Sequence, residues 1–77
     1  MNHRNMQERE LANIYTYHAP DASQIAMYTK IRNMGGDLAD MINRFCLPCR
    51  ELDQAMLKVE EAVMWANAAI ARHGFRG

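Results

Sequence analysis

Two long stripes of apolar residues, separated by a proline, constrain the fold of this chain more than any other feature. In each stripe the spacing alternates between three and four residues, which keeps the side chains on one face of an α-helix. Proline lacks the amide hydrogen that a helix interior needs, so Pro48 separates the two helices. The first stripe consists of Tyr28, Ile31, Gly35, Leu38, Ile42 and Phe45, and the second of Leu52, Met56, Val59, Val63, Ala66, Ile70 and His73.

The ends of both helices are marked by residues that cap helices. Asp21 and Gln24 have the spacing of a capping box, and Pro20 precedes them, which predicts a helix over about 23–45. Gly74 is a natural left-handed terminator after the second stripe, which predicts a helix over about 50–73. Each helix is about 36 Å long at 1.5 Å per residue. Joined by the short turn 46–49, the two helices can only form an antiparallel hairpin.

A shorter helix is predicted before the hairpin. Met6, Leu11 and Ile14 lie among charged and amide side chains, which indicates an amphipathic helix over about 4–15, followed by a loop over 16–22. No segment has the pattern of a strand. The sequence therefore predicts one all-α domain over residues 1–77, a short N-terminal helix followed by a long antiparallel helical hairpin.

The second long helix carries more apolar residues than one stripe contains. Exposing this additional set to water costs roughly 25 cal/mol per Å². We therefore expect the hairpin to associate with itself as a homo-oligomer. The additional residues are Leu57, Met64, Trp65, Ala68 and Ala69.

Length and charge exclude several classes of function. A chain of 77 residues is too short for a conventional multi-element enzyme core. Nine Lys and Arg balance nine Asp and Glu, so no basic stripe is present to hold a DNA or RNA polymer. No apolar run approaches the roughly 18 residues of a membrane span, and residues 1–10 are too polar for a signal peptide. These features predict a soluble, intracellular protein.

Cys46 and Cys49 form a C-x-x-C motif around Pro48, the spacing used by dithiol oxidoreductases and by half of a zinc site. An oxidoreductase of the thioredoxin type needs a βαβ setting, and a zinc site needs two further ligands, whereas the three histidines are isolated. We expect two thiols at a helix turn, with no metal and no cofactor. No serine or cysteine stands at a spacing that suggests activation by a histidine, so we expect no enzymatic activity.

The loop before the first long helix is aromatic, and the helix that follows is basic near its start. Tyr17 can stack on a nucleobase, and Lys30 and Arg32 can bind a phosphate. The residues alone favour a simpler interpretation, in which tyrosines cover the core and the basic residues are solvated. Gly35 and Gly36 cost about 1 kcal/mol each inside a helix, which close helix packing or a ligand against bare backbone would offset.

Three segments of the sequence resemble one known family. They are Y-H-x-P at 17–20, Q-x-x-x-Y-x-x-I-R at 24–32 and E-E-A-V-M-W-A-N-A-A-I-A at 60–71. This pattern is similar to that of the small phage anti-CBASS sponge proteins, which sequester cyclic oligonucleotides. The similarity extends over about residues 13–73, and the last segment is its most specific part.

The resemblance implies a helical protomer assembled into a homo-hexamer, a trimer of dimers, in the cytoplasm of the infected bacterial host. Members of the family bind cyclic dinucleotides such as cGAMP between protomers, and some bind cyclic trinucleotides where three protomers meet, without cleaving either. By this similarity Tyr17 stacks on a base and Arg32 pairs with a phosphate. His18 belongs to the same motif as Tyr17, Lys30 is a second candidate by its charge, and Arg72 is the candidate for a trinucleotide site.

Two departures from the family pattern matter, one for the start of the second long helix and the other, at Gly35 and Gly36, for the ligand range, which it leaves open. Cys49 stands where the family tends to have a hydroxyl residue, so the second long helix is expected to lose a good cap. Gly35 and Gly36 replace part of an alanine-rich stretch. Two alternatives also remain open, a helical adaptor whose apolar stripe binds a partner helix without any small ligand, and a dithiol redox protein that uses Cys46 and Cys49.

Overall fold

The chain folds into three helices, as seen in a computed structural model that describes residues 3–76 and the side chains of residues 8–76. The helices are α1 (His3–Tyr15), α2 (Ala22–Phe45) and α3 (Arg50–His73). The described residues contain no strand, which confirms the all-α class, and α2 and α3 form the predicted hairpin. The side chain of Met6, which was expected on the apolar face of α1, lies outside the described residues.

The start of α2 is fixed by a complete capping box. Asp21 Oδ1 accepts a hydrogen bond from the Gln24 backbone N–H at 2.8 Å, and Gln24 Oε1 accepts one from the Asp21 backbone N–H at 3.1 Å. The Ser23 hydroxyl donates to Asp21 Oδ1, and this bond, followed by that from Gln24, lowers the pKa of Asp21. Gln24 Nε2 also donates to the Ile70 carbonyl at 3.3 Å. One side chain therefore caps α2 and holds the end of α3.

The turn between α2 and α3 has a cysteine at each end. Cys46 is the C-cap of α2, and Cys49 is the N-cap of α3, where its Sγ accepts a hydrogen bond from the Leu52 backbone N–H at 3.4 Å. Both thiols are free and exposed. Sulfur is a weak acceptor, so this cap is present but weaker than a hydroxyl would make it. At the other end of α3, Gly74 is the C-cap; its φ of 80° and ψ of −169° form a conformation that only glycine adopts readily, but not the left-handed helical one.

The two neighbouring glycines of α2 have different surroundings. A Cβ at Gly35 would collide with Val63 Cγ2 and would lie 3.8 Å from Val63 Cβ, so Gly35 lets α2 and α3 approach closely. A Cβ at Gly36 would have no neighbour within 4 Å. Packing within the protomer therefore explains Gly35 and leaves Gly36 unexplained.

The hairpin is a single layer with almost no core. Among the described apolar residues only Leu52 and Ile70 are buried. The Cα radius of gyration is 16.2 Å, compared with about 11.5 Å for a compact domain of this length. The accessible surface is 6522 Å² for a mass of 8.9 kDa, compared with about 4,800 Å² for a compact monomer of that mass. The protomer thus exposes about a third more surface than a compact monomer would.

The N-terminal helix contacts the hairpin only weakly. Asn13 Nδ2 of α1 donates to the Arg72 carbonyl of α3 at 3.5 Å, the upper limit for a hydrogen bond. Leu11 is half exposed on the same helix. None of the helices in the described part of the chain is both long enough and apolar enough to cross a membrane.

Candidate functional site

A groove runs along each face of the hairpin, and the two grooves share a floor of Gly35, Val59 and Val63. We name them by their walls. The charged groove has a volume of about 600 Å³, and the apolar groove one of about 550 Å³. The walls of the charged groove include Arg32, Gly36, Asp53, Leu57, Glu60 and Met64, and those of the apolar groove include Ile31, Met34, Leu38, Lys58, Ala62 and Ala66.

Three charged side chains line the charged groove, and helical spacing brings them there. Arg32 lies one turn before Gly36 on α2, while Asp53 and Glu60 lie on the stripe of α3 that also carries Leu57. Within the described residues, Arg32, Asp53 and Glu60 have no ion-pair partner; the ion pairs there involve other residues. These three charges are available to groups from outside the protomer.

The apolar groove contains one charged side chain, and that charge is already paired. Lys58 Nζ lies 3.6 Å from Glu61 Oε2. Along the same side of α2 runs an exposed apolar stripe, whose exposed fractions range from 51% to 79%. A surface of this kind is suited to contact with another protein surface. The apolar stripe consists of Met34, Leu38, Met41 and Phe45.

Four of the five additional apolar residues of α3 are exposed, and Ala68 is half-buried. Leu57 is 44% exposed, Met64 61% and Trp65 66%. Leu57 and Met64 lie on the side of the charged groove. Trp65 follows Met64 by one residue and therefore points about 100° away from it around the helix.

The loop between α1 and α2 presents its tyrosines to solvent and anchors its histidine. Tyr15 and Tyr17 are each 83% exposed, so neither covers a core. His18 is half-buried, and its ring Nε2 lies 2.6 Å from the Asn13 carbonyl oxygen. Because the side chain of Asn13 also donates to the Arg72 carbonyl, Asn13 links His18 to the end of α3. His18 therefore braces the loop that carries Tyr17.

The five candidate binding residues lie in three places. Arg32 lines the charged groove, whereas Tyr17, His18, Lys30 and Arg72 line neither groove. Tyr17 and His18 lie in the loop, and Arg72 lies in the last turn of α3, where Asn13 connects it to His18. Lys30 is exposed and precedes Arg32 by two residues, which places it on a different side of α2.

One residue of the charged groove and one buried polar atom outside both grooves were missed at the level of sequence. Glu60, which the sequence did not single out, lines the charged groove; its spacing from Leu57 and Met64 was the available signal. Asn67 Oδ1 is buried without a hydrogen-bond partner among the described residues. No sequence signal distinguishes Asn67. A buried acceptor without a donor is costly, and an ordered water is a common partner of such a group.

No metal centre is found in the described part of the chain, where no three His, Cys, Asp or Glu side chains are grouped to hold an ion. The two thiols of the C-x-x-C motif lie at the exposed turn, at the end of the hairpin. The groups on the two faces of the hairpin are therefore the candidates for a binding function.

The fold and these surfaces define a class of protein, a helical hairpin with a charged groove on one face and an apolar groove on the other. The model of the family described as Acb2/Tad1, hairpin domain, matches residues 7–71. The chain belongs to this family, the anti-CBASS cyclic oligonucleotide sponges, which confirms the resemblance inferred from sequence. No curated protein and no solved structure matches the chain significantly.

Proposed function

We propose that copies of this chain assemble and sequester cyclic dinucleotides, and so keep the signal of CBASS immunity from its effector. The activity is stoichiometric binding without cleavage, by a phage protein in the cytoplasm of the infected bacterium. One observation carries the proposal: in a chain of the sponge family, Arg32 lines the charged groove of about 600 Å³ and has no ion-pair partner among the described residues. That volume is within the range of small-molecule sites.

The strength of binding that a sponge needs supports a pocket shared between protomers. Sequestration at nanomolar concentration requires about 12 kcal/mol of binding free energy. Such affinity needs a ligand that is largely enclosed, and the charged groove of one protomer is open to solvent along its length. A second copy placed over the groove would enclose the ligand and add its own contacts.

The surface of the protomer is large enough for such an assembly. The accessible surface of 6522 Å² exceeds that of a compact monomer by about 1,700 Å². A standard interface buries about 800 Å² on each partner. The excess is therefore large enough for contacts with other copies to cover, as the proposed trimer of dimers requires. The apolar stripe is the surface best suited to one of them.

The roles proposed for individual residues follow from their chemistry and position. Arg32 holds a phosphate through two parallel N–H bonds, and Tyr17 stacks on a base. Tyr17 does not line the charged groove of its own protomer, so the stacking ring would come from a neighbouring copy. His18 holds the loop in place, Lys30 adds positive charge, and Arg72 is the candidate for a separate trinucleotide site.

The test is a panel of cyclic di- and trinucleotides added to the purified protein. A ligand that binds only the folded state raises the melting temperature, so at least one cyclic dinucleotide should raise it. Heat release followed by mass spectrometry should return the ligand unaltered. Absence of a shift with every ring, or recovery of a linear product, would contradict the proposal.

The apolar stripe also favours a second candidate, an adaptor that binds a partner helix and no small ligand. An exposed row of apolar side chains at helical spacing is the kind of surface that packs against an amphipathic helix. This candidate predicts no thermal shift with any cyclic nucleotide.

A further inference from the structure

The charged groove contains carboxylates as well as the guanidinium proposed to bind a phosphate. Gly35 faces Val63 in the antiparallel hairpin, which places Arg32 at the level of Ala66. Glu60 is six residues from Ala66 along α3, or about 9 Å. Asp53 is more than twice as far away. Glu60 is therefore the carboxylate that a single nucleotide could reach while its phosphate contacts Arg32.

The surroundings of Glu60 restrict what can bind next to it. Glu60 has no ion-pair partner among the described residues, and the neighbouring wall is formed by Leu57 and Met64. A ligand in this groove would remove water from the carboxylate and would bring a phosphodiester of the same charge near it. Both effects are unfavourable unless the ligand donates hydrogen bonds to Glu60. The part of the ligand that faces Glu60 must therefore be a donor.

We infer that Glu60 recognises guanine and gives the charged groove a preference for guanine-containing cyclic dinucleotides, an inference that rests on the proposed function. Guanine carries N1–H and N2–H side by side, so both carboxylate oxygens accept a hydrogen bond at once. Adenine and cytosine carry one amino group next to a ring acceptor, and uracil carries one N–H between two carbonyls. Each of these bases would therefore place a hydrogen-bond acceptor next to a carboxylate oxygen of Glu60, and the two acceptors would repel each other.

Gly36 provides the space that this recognition needs. It lies at the level of Ala62, two residues from Glu60 along α3, and it lines the same groove. A flat ring can rest against bare backbone at this position, because no atom beyond the adjoining residues and the backbone of α2 itself lies within 4 Å of the place where a Cβ would be. The inference thus accounts for a helical glycine that packing within the protomer leaves unexplained.

The experiment compares Glu60→Gln with the wild type in calorimetric titrations with cyclic di-GMP and cyclic di-AMP. The wild type should bind cyclic di-GMP more tightly. Glu60→Gln should weaken cyclic di-GMP binding by about tenfold and should leave cyclic di-AMP binding unchanged or stronger, because one negative charge is removed. The matched control is Glu61→Gln, which removes the same charge from a residue paired with Lys58 and should change neither affinity.

Size-exclusion chromatography of both variants checks that the assembly is intact. Equal affinity of the wild type for the two rings, or equal effects of Glu60→Gln on both, would overturn the guanine assignment and leave the sponge function standing. A wild-type protein that binds neither ring nor any other cyclic nucleotide would overturn the proposed function, and the assignment with it.

Discussion

The two grooves of the hairpin share a floor and have similar volumes, yet their walls differ in charge. The charged groove contains Arg32, Asp53 and Glu60 without partners among the described residues, whereas Lys58 of the apolar groove is neutralised by Glu61. The positions that line one groove lie about one residue further around each helix than the positions that line the other. One pair of helices therefore presents a charged surface and an apolar surface, and the wall residues of each groove can be altered without those of the other.

The largest effect should come from a charge in the apolar groove. Leu38→Glu would place a carboxylate where we expect another copy to pack, and an uncompensated buried charge costs about 3 kcal/mol or more. We expect the oligomer to dissociate at micromolar concentration in light scattering. Asn33→Glu, on another side of α2, is the control and should not change the mass. An unchanged mass for Leu38→Glu would show that the apolar groove is not an interface.

The next effect should come from removing the cation of the charged groove. Arg32→Ala should weaken cyclic dinucleotide binding by about tenfold to a hundredfold, because a charge-assisted hydrogen-bonded contact is lost, while the oligomer stays intact. Lys30→Ala removes the same charge from outside the groove and should have a smaller effect. Calorimetry measures both. Retained affinity in Arg32→Ala would remove this residue from the site.

A smaller effect on stability should distinguish Gly35, on the floor that the two grooves share, from Gly36, on the wall of the charged groove. Gly35→Ala should destabilise the protein by about 1–3 kcal/mol, because Val63 must shift. Gly36→Ala should stabilise it by up to about 1 kcal/mol, because alanine favours a helix and meets no atom. Thermal unfolding measures both changes. If a ligand lies against Gly36, the same variant should bind cyclic dinucleotides less tightly, and unchanged binding would place the ligand elsewhere.

The smallest effect should come from the turn, which lies outside both grooves. Cys49→Ser should stabilise the protein by a few tenths to about 1 kcal/mol, because a hydroxyl caps a helix better than a thiol does. Urea unfolding measures the change. Nucleotide binding should not respond to Cys49→Ser or to the double variant with Cys46→Ser. A loss of binding or anti-defence activity in the double variant would instead support the dithiol redox alternative.

The hairpin could be predicted because its signals are local. The spacing of the two stripes, Pro48, the Asp21–Gln24 pair and Gly74 each act within one or two turns of helix, and the structure has the capping box and the glycine terminator where they were expected. The sequence left two interpretations of Gly35, close helix packing or a ligand against bare backbone. The position of Val63 against Gly35 supports close packing. The roles of the five candidate residues in ligand binding remain predictions; they are Tyr17, His18, Lys30, Arg32 and Arg72.

The site was only partly predictable, because it depends on how two helices are rotated against each other. The residue types of Arg32 and Glu60 were visible, but their presence in one groove follows from the antiparallel register of α2 and α3. The bond between His18 and the Asn13 carbonyl likewise depends on the path of the loop. Such contacts join residues on different elements, and periodicity within one element carries no information about them.

The sequence by itself determined three helices, the hairpin and the family, because each follows from short-range spacing or from a recognisable segment of residues. Only the tertiary structure decided that the hairpin has a charged side and an apolar side, that Gly36 faces open space while Gly35 is packed, and that Glu60 shares a groove with Arg32. The physical reason is that the closest contact between two packed helices determines which side chains of each helix face the other. That contact joins residues that are far apart in the chain.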